Sequence, residues 1–178
     1  MNEDLHKLRF PIGEFEMQKP FGATERAAAI EAIEATPRNL RQAVAGLTEP
    51  QLDTPYRPDG WTVRQVVHHL PDSHVNSYMR FKLTMTEDEP TIRTYHEDRW
   101  AELPDACSAP VETSLALLDT LHDRWVRFLR AIPDEQFARR LNHPEIGIID
   151  LDTLVALYGW HGPHHVAHIS ALRERNGW

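Results

Sequence analysis

Tyr158-Gly-Trp-His-Gly-Pro-His-His-Val-Ala-His168 carries four histidines in eleven residues, and its reading decides what kind of helical protein this chain makes. In a helix His161 and His165 stand one turn apart and about 40° apart around the axis, the spacing at which two imidazoles grip one ion. Working outward, Asp150 is placed to cap this helix, and Leu151, Leu154, Tyr158, His161, His165, Ile169 and Leu172 share one face. Asn176-Gly177 supplies the C-terminal stop. His161 and His165 fall near the centre of the apolar stripe, His168 beside it and His164 further to the side, so the pair 161/165 is favoured over 164/168.

One histidine on an apolar face is ordinarily a core imidazole bonded to a carbonyl. Several on one stripe are different, because each neutral ring needs partners for two nitrogens away from water, and a shared cation satisfies several at once. The spacing therefore predicts a metal site, with a further ligand to come from elsewhere in the chain.

Three more long helices precede this one. Thr24 is the expected N-cap of a helix with Ala27, Ile30, Ile33, Leu40, Val44 and Leu47 on its apolar face, which Pro37 should kink or split. Thr62, with Gln65 three residues on, has the pattern of a capping box and opens a helix running to about Thr86. Its stripe is Val63, Val66, Val67, Leu70, Ser77, Tyr78 and Phe81. His69, Ser73, Asn76 and Arg80 line a polar shoulder, as a ligand-bearing helix beside a cleft should. Pro71 should bend it next to His69.

Pro110 begins a third helix with Leu115, Leu118, Leu121, Trp125, Phe128 and Leu129 on one side. Residues 139–149 look extended, with room for two small strands. Residues 1–23, holding Pro11, Gly13, Pro20 and Gly22, read as an extended arm laid over the domain. The expected fold is all-α: a single domain over residues 1–178, a four-helix bundle with irregular crossovers and a small strand pair.

Composition narrows the function classes. A chain of 178 residues, 41% of them hydrophobic, suffices for one proper core. Its formal charge of -8, with no basic block, gives no electrostatic reason to seek nucleic acid or an anionic membrane. The single cysteine, Cys107, excludes a disulfide within the chain and suits a reducing cytoplasm. No signal peptide or membrane span is evident. His68, His74, His96, His122 and His143 are read as surface or packing residues, and Trp61, Trp125 and Trp160 as core.

Phe10-Pro-Ile-Gly-Glu-Phe, Leu52-Asp-Thr-Pro-Tyr, Trp61-Thr-Val-Arg-Gln-Val-Val-His-His-Leu, Ser77-Tyr-Met-Arg-Phe-Lys, and Trp160-His161 with His165 together resemble the YfiT group of the DinB-like superfamily. The resemblance covers nearly the whole chain. It implies a four-helix bundle, one divalent ion per subunit on one histidine of the second helix and two of the fourth, and a cytoplasmic homodimer. Residue by residue the implied ligands are His69, His161 and His165, which the helical wheels accommodate. Gly162-Pro163 and Pro71 depart from what the group leads one to expect, and ligand geometry is where that departure bears.

Three neutral imidazoles leave an ion its full charge and an open position, which suits zinc or nickel. Water held there has its pKa lowered to about 7, the basis of the hydrolase reading attached to this group. A thiol held there is activated without a separate base, and related bundles are implicated in transferring bacillithiol to electrophiles. The motif lacks the Glu of His-Glu-x-x-His, which suits the thiol reading. Asn76 and Arg80 are the candidate catalytic residues, Arg80 as a clamp for a carboxylate or phosphate, and Asp72 is a candidate to orient an imidazole. The expectation is thus a metal-dependent hydrolase acting on a small molecule. The alternatives are a thiol transferase and a metal-binding stress protein without turnover.

Overall fold

The computed structural model describes residues 3–17 and 21–178. Four long helices form the bundle. After α1 (Glu3–Arg9) come α2 (Ala23–Val44), the short α3 (Glu49–Leu52) and α4 (Val63–Thr86). The crossover turns α5 (Glu97–Trp100) and α6 (Pro104–Ser108) lead to α7 (Val111–Ala131). A 3₁₀ turn at Asp134–Ala138 and the antiparallel pair β1 (Arg140–His143) and β2 (Gly147–Asp150) precede α8 (Leu151–Asn176).

Local chemistry accounts for the ends. Thr62 accepts from the Gln65 N–H at 3.1 Å while its own N–H reaches Gln65 Oε1 at 2.9 Å, closing the expected capping box. Asp150 caps α8 through the Thr153 N–H at 2.7 Å, and Gly177 takes a left-handed φ of 68° beyond its end. For α2 the cap is Gly22 and not Thr24, because Glu25 folds back to accept the Gly22 N–H at 2.9 Å.

The N-terminal arm needs correcting, since Glu3–Arg9 is helical. Its breakers, Pro11, Gly13, Pro20 and Gly22, all follow Arg9 in the sequence, and His6, Lys7 and Arg9 place basic groups at the negative end of the helix dipole. The chain after it does lie over the domain. Trp160 Nε1 donates to Gly13 O at 3.2 Å, and His168 Nε2 donates to Arg9 O, an end carbonyl of α1, at 2.9 Å.

None of the three internal prolines breaks its helix. Pro37, Pro71 and Pro163 sit inside continuous α2, α4 and α8. Pro37 removes the donor for Ile33 O, and His122 of α7 replaces it, its Nδ1 lying 2.7 Å away.

The apolar interior falls into two clusters. One holds Ile33, Phe81, Trp125 and Tyr158; the other holds Leu40, Leu70, Leu118 and Ile169. Between these levels every bundle helix contributes a polar side chain: Thr36, His74, His122, and His161 with His165. The histidines form a polar layer across the bundle.

Candidate metal centre

His69 comes from the second long helix, one step off its apolar stripe, and His161 and His165 come from successive turns of the fourth. Together they present three ring nitrogens within 4.8 Å of one another, the one such metal-capable group among the described residues. His69 Nε2 and His161 Nε2 are 3.4 Å apart. Two imidazoles on one tetrahedral ion with bonds of 2.0–2.1 Å need a separation of about 3.3 Å. For a hydrogen bond, 3.4 Å is long.

The state of the rings suits a cation. Desolvation by burial is the largest cause pulling His69 down to about 3 and holding His161 and His165 well below the usual imidazole value. Neighbouring imidazoles push the same way. Neutral rings keep their lone pairs at pH 7, as metal ligation requires. Within the same cluster His165 Nδ1 is buried with no hydrogen-bond partner in the protein. The donor set therefore fits one divalent ion.

His164 and His168 stand apart from this group. His164 stacks on Trp160 with ring centroids 4.2 Å apart, and His168 stacks on Tyr56 at 4.0 Å while bonding Arg9 O. Both line the cavity without joining the cluster, so the structure separates the pair 161/165 from 164/168.

The cluster opens onto a cavity of about 650 Å³, walled by Tyr56, Arg57, Trp61, Arg80, Tyr95 and His143 among others. Trp61 lies over His69 with centroids 4.7 Å apart. Arg80 is 8% exposed; one guanidinium nitrogen donates to Arg93 O at 3.3 Å, and its buried Nε has no partner. Glu97 and Asp98 of α5 and Glu145 of the β1–β2 turn also line the cavity, so acidic residues border it from segments where no motif announced them.

Two candidates from the sequence do not take their expected places. Asn76 is absent from the cavity wall because its amide folds back to donate to Asp72 O at 2.8 Å, one turn earlier in α4. The imidazole partner of His161 is His74 and not Asp72, with His74 Nε2 lying 3.1 Å from His161 Nδ1. Burial pushes the Asp72 carboxyl up to about 6.

His74 and His122, read from sequence as surface or packing residues, are buried in a row behind His161. His74 Nδ1 lies 2.7 Å from His122 Nε2, and His122 Nδ1 lies 2.7 Å from Ile33 O. A signal was available. His74 follows Leu70 by four, and His122 sits between Leu118 and Trp125, both on apolar stripes.

Fold and site define a class: a four-helix bundle with an interhelical cluster of three histidines able to hold a metal ion beside an open cavity. The chain belongs to the DinB superfamily, whose profile matches residues 32–169. A Bacillus cereus strain B4264 protein named "Putative metal-dependent hydrolase" is 50% identical over 98% of this chain and all of its own length. A Bacillus thuringiensis subsp. konkukian strain 97-27 protein of the same description is 49% identical over the same shares. Among solved structures, Bacillus subtilis YfiT, described as a probable metal-dependent hydrolase with an unusual four-helix bundle topology, superposes with a TM-score of 0.93 at 50% identity, covering 97% of this chain and 99% of that one. This chain is thus a YfiT-like four-helix bundle.

Proposed function

We propose that the protein is a metal-dependent hydrolase of the YfiT group, acting on a small molecule with an anionic part. The observation that carries this reading is the convergence of His69, His161 and His165 at the wall of an open cavity of about 650 Å³. A purely structural metal site closes its coordination with protein ligands, whereas three ligands beside a cavity leave room for substrate. When bound, a divalent ion such as zinc or nickel supplies a Lewis acid that lowers the pKa of a water or thiol beside it.

The residues around the cluster divide the remaining work. Arg80, held by Arg93 O and with Nε uncommitted, anchors a carboxylate or phosphate of the substrate. Trp61 covers His69 and limits access of bulk water on that side. Glu97, Asp98 and Glu145 border the same cavity and are the acidic candidates for the base that the missing Glu of His-Glu-x-x-His would otherwise supply. No helix among the described residues is long and apolar enough to cross a membrane. The one-cysteine composition suits a reducing, cytoplasmic location. The family resemblance supports a homodimer, for which the exposed Val75 and Met79, one turn apart on α4, are candidate contacts.

The test is elemental analysis of the purified protein with an ester, amide and phosphoester panel, on the unaltered chain and on His161→Ala. The expected result is about one divalent ion per chain and metal-dependent turnover, both lost in the variant. Full metal content in His161→Ala refutes the ligand set. Cobalt-substituted protein separates the thiol reading: intense charge-transfer absorption on adding a small thiol, with no hydrolysis of any panel member, replaces hydrolase by thiol transferase.

A further inference from the structure

Behind the metal-facing ring of His161 runs an unbroken file of imidazoles. Its far end is Ile33 O, the carbonyl that Pro37 leaves without a helical donor. A carbonyl oxygen only accepts, so His122 Nδ1 carries the proton and, in a neutral ring, His122 Nε2 is the acceptor. The contact of 2.7 Å from His74 Nδ1 to His122 Nε2 then requires the proton on His74 Nδ1, leaving His74 Nε2 as acceptor. The contact of 3.1 Å from His161 Nδ1 to His74 Nε2 requires the proton on His161 Nδ1. His161 Nε2, the nitrogen 3.4 Å from His69 Nε2, is left with its lone pair facing the cluster.

We propose that His74 and His122 are positioning residues for the metal: anchored on the carbonyl freed by Pro37, they lock His161 into the one tautomer and ring orientation that can ligate. The proposal rests on the three-histidine reading above and extends it across the bundle, from α2 through α7 and α4 to α8.

The surroundings keep the file intact. His74 is 0% and His122 2% exposed, so water does not compete for their nitrogens. Trp125 and Tyr158 pack edge-on against the His74 ring, with centroids 5.7 and 5.2 Å away, and fix its plane. A histidine ligand whose second nitrogen donates to a fixed acceptor is both oriented and made more basic, and removing such a partner typically costs about 10–100-fold in metal affinity.

Two measurements test this. Long-range proton–nitrogen spectra of the metal-free, histidine-labelled protein report the tautomer of each ring directly; the expected result is Nδ1–H for His122, His74 and His161 alike. Cobalt(II) titration then compares the unaltered chain with His74→Phe and His74→Gln. His74→Phe loses the acceptor and should weaken cobalt binding about 10–100-fold. His74→Gln restores an acceptor oxygen and should recover most of the loss, which a purely space-filling role would not produce. His161 found as the Nε2–H tautomer overturns the proposal and needs no variant to fold. Undiminished binding by a folded His74→Phe does the same. An unaltered chain that takes up no cobalt overturns the three-histidine reading and this proposal with it, whereas one that binds cobalt with the wrong tautomer at His161 overturns the proposal alone.

Discussion

Arg80 shows how much one side chain's surroundings decide. Its position on the α4 wheel is shared by Asn76, and both were candidates on that ground, but the short Asn76 amide reaches its own helix backbone while the longer guanidinium extends to Arg93 O and the cavity wall. Wheel position was legible; side-chain reach was not. If Arg80 grips an anion through its planar fork, Arg80→Lys keeps the charge and loses the geometry. Charge-assisted hydrogen bonds contribute about 1.5–3 kcal/mol, so KM for an anionic substrate should rise roughly 10–100-fold while a matched neutral substrate is little affected. Equal losses on the matched pair would remove Arg80 from substrate binding.

His122 makes a second prediction at the same scale, in folding stability. Desolvation lowers its pKa to about 4, outweighing the opposing pull of its Ile33 O bond and of Asp119. Above the ordinary imidazole value of about 6.5 both folded and unfolded chains are neutral there and no linkage exists. Below it the unfolded chain binds a proton that the folded chain refuses, so stability falls with pH down to about 4, by up to about 1.4 kcal/mol per unit from this residue. Urea unfolding of the metal-free protein between pH 7 and 4.5 should show this loss, and His122→Asn should flatten the curve by close to one proton. An unchanged slope in the variant would mean that His122 is not the group excluded from protonation.

At the scale of elements, Gly162-Pro163 stood out in the sequence as a hazard beside the ligands, and the structure gives the glycine a packing reason. A Cβ on Gly162 would lie 2.3 Å from Thr36 Oγ1 and 2.7 Å from Thr36 Cγ2, and one on Gly159 would lie 2.8 Å from Ala29 Cβ. Two small residues a turn apart let α8 press against α2, and α8 carries two ligands. Gly162→Ala gains about 1 kcal/mol in helix propensity, yet overpacking of this kind costs about 1–3 kcal/mol, so a net loss of about 1 kcal/mol is expected. Thr36→Ala in the same chain removes both clashing atoms and should recover it. Strict additivity in that double-mutant cycle, read from thermal or urea unfolding, would contradict the close approach.

The long elements were readable because periodicity and caps operate within one segment. Thr62 with Gln65, Asp150, and Asn176-Gly177 mark ends by purely local chemistry. The prolines were harder: whether Pro37 splits α2 depends on whether a distant donor takes over the Ile33 carbonyl, and that donor lies 89 residues away in sequence. Short turns such as Glu97–Trp100 fall below the window in which periodicity has meaning, which is why the acidic residues they bring to the cavity went unseen. The same limit hid the file behind His161, each member of which reads alone as a core histidine.

For the molecule as a whole, the site sits at the seam between the two adjacent bundle helices that pack least closely. α2 packs chiefly on α8 and α4 on α7, while direct packing between α4 and α8 is sparse. His69 belongs to α4, and His161 and His165 belong to α8, so an ion held by all three ties together the adjacent helices of the bundle that pack least closely, within the polar layer that divides the core. Binding confined to the folded state adds RT ln(1 + [L]/Kd), about 4 kcal/mol when free metal is 1,000 times Kd. For a chain of this size that corresponds to a rise in Tm of roughly 10 °C. Calorimetry of chelator-stripped protein with and without added zinc or nickel should show the rise, and it should vanish in His161→Ala, whose remaining two imidazoles cannot bridge the helices equally well. Amide exchange locates the effect: protection should increase in α4 around His69 and in α8 around His165 together. Protection confined to α8 would mean the ion is held by that helix alone, and the interhelical site would have to be abandoned.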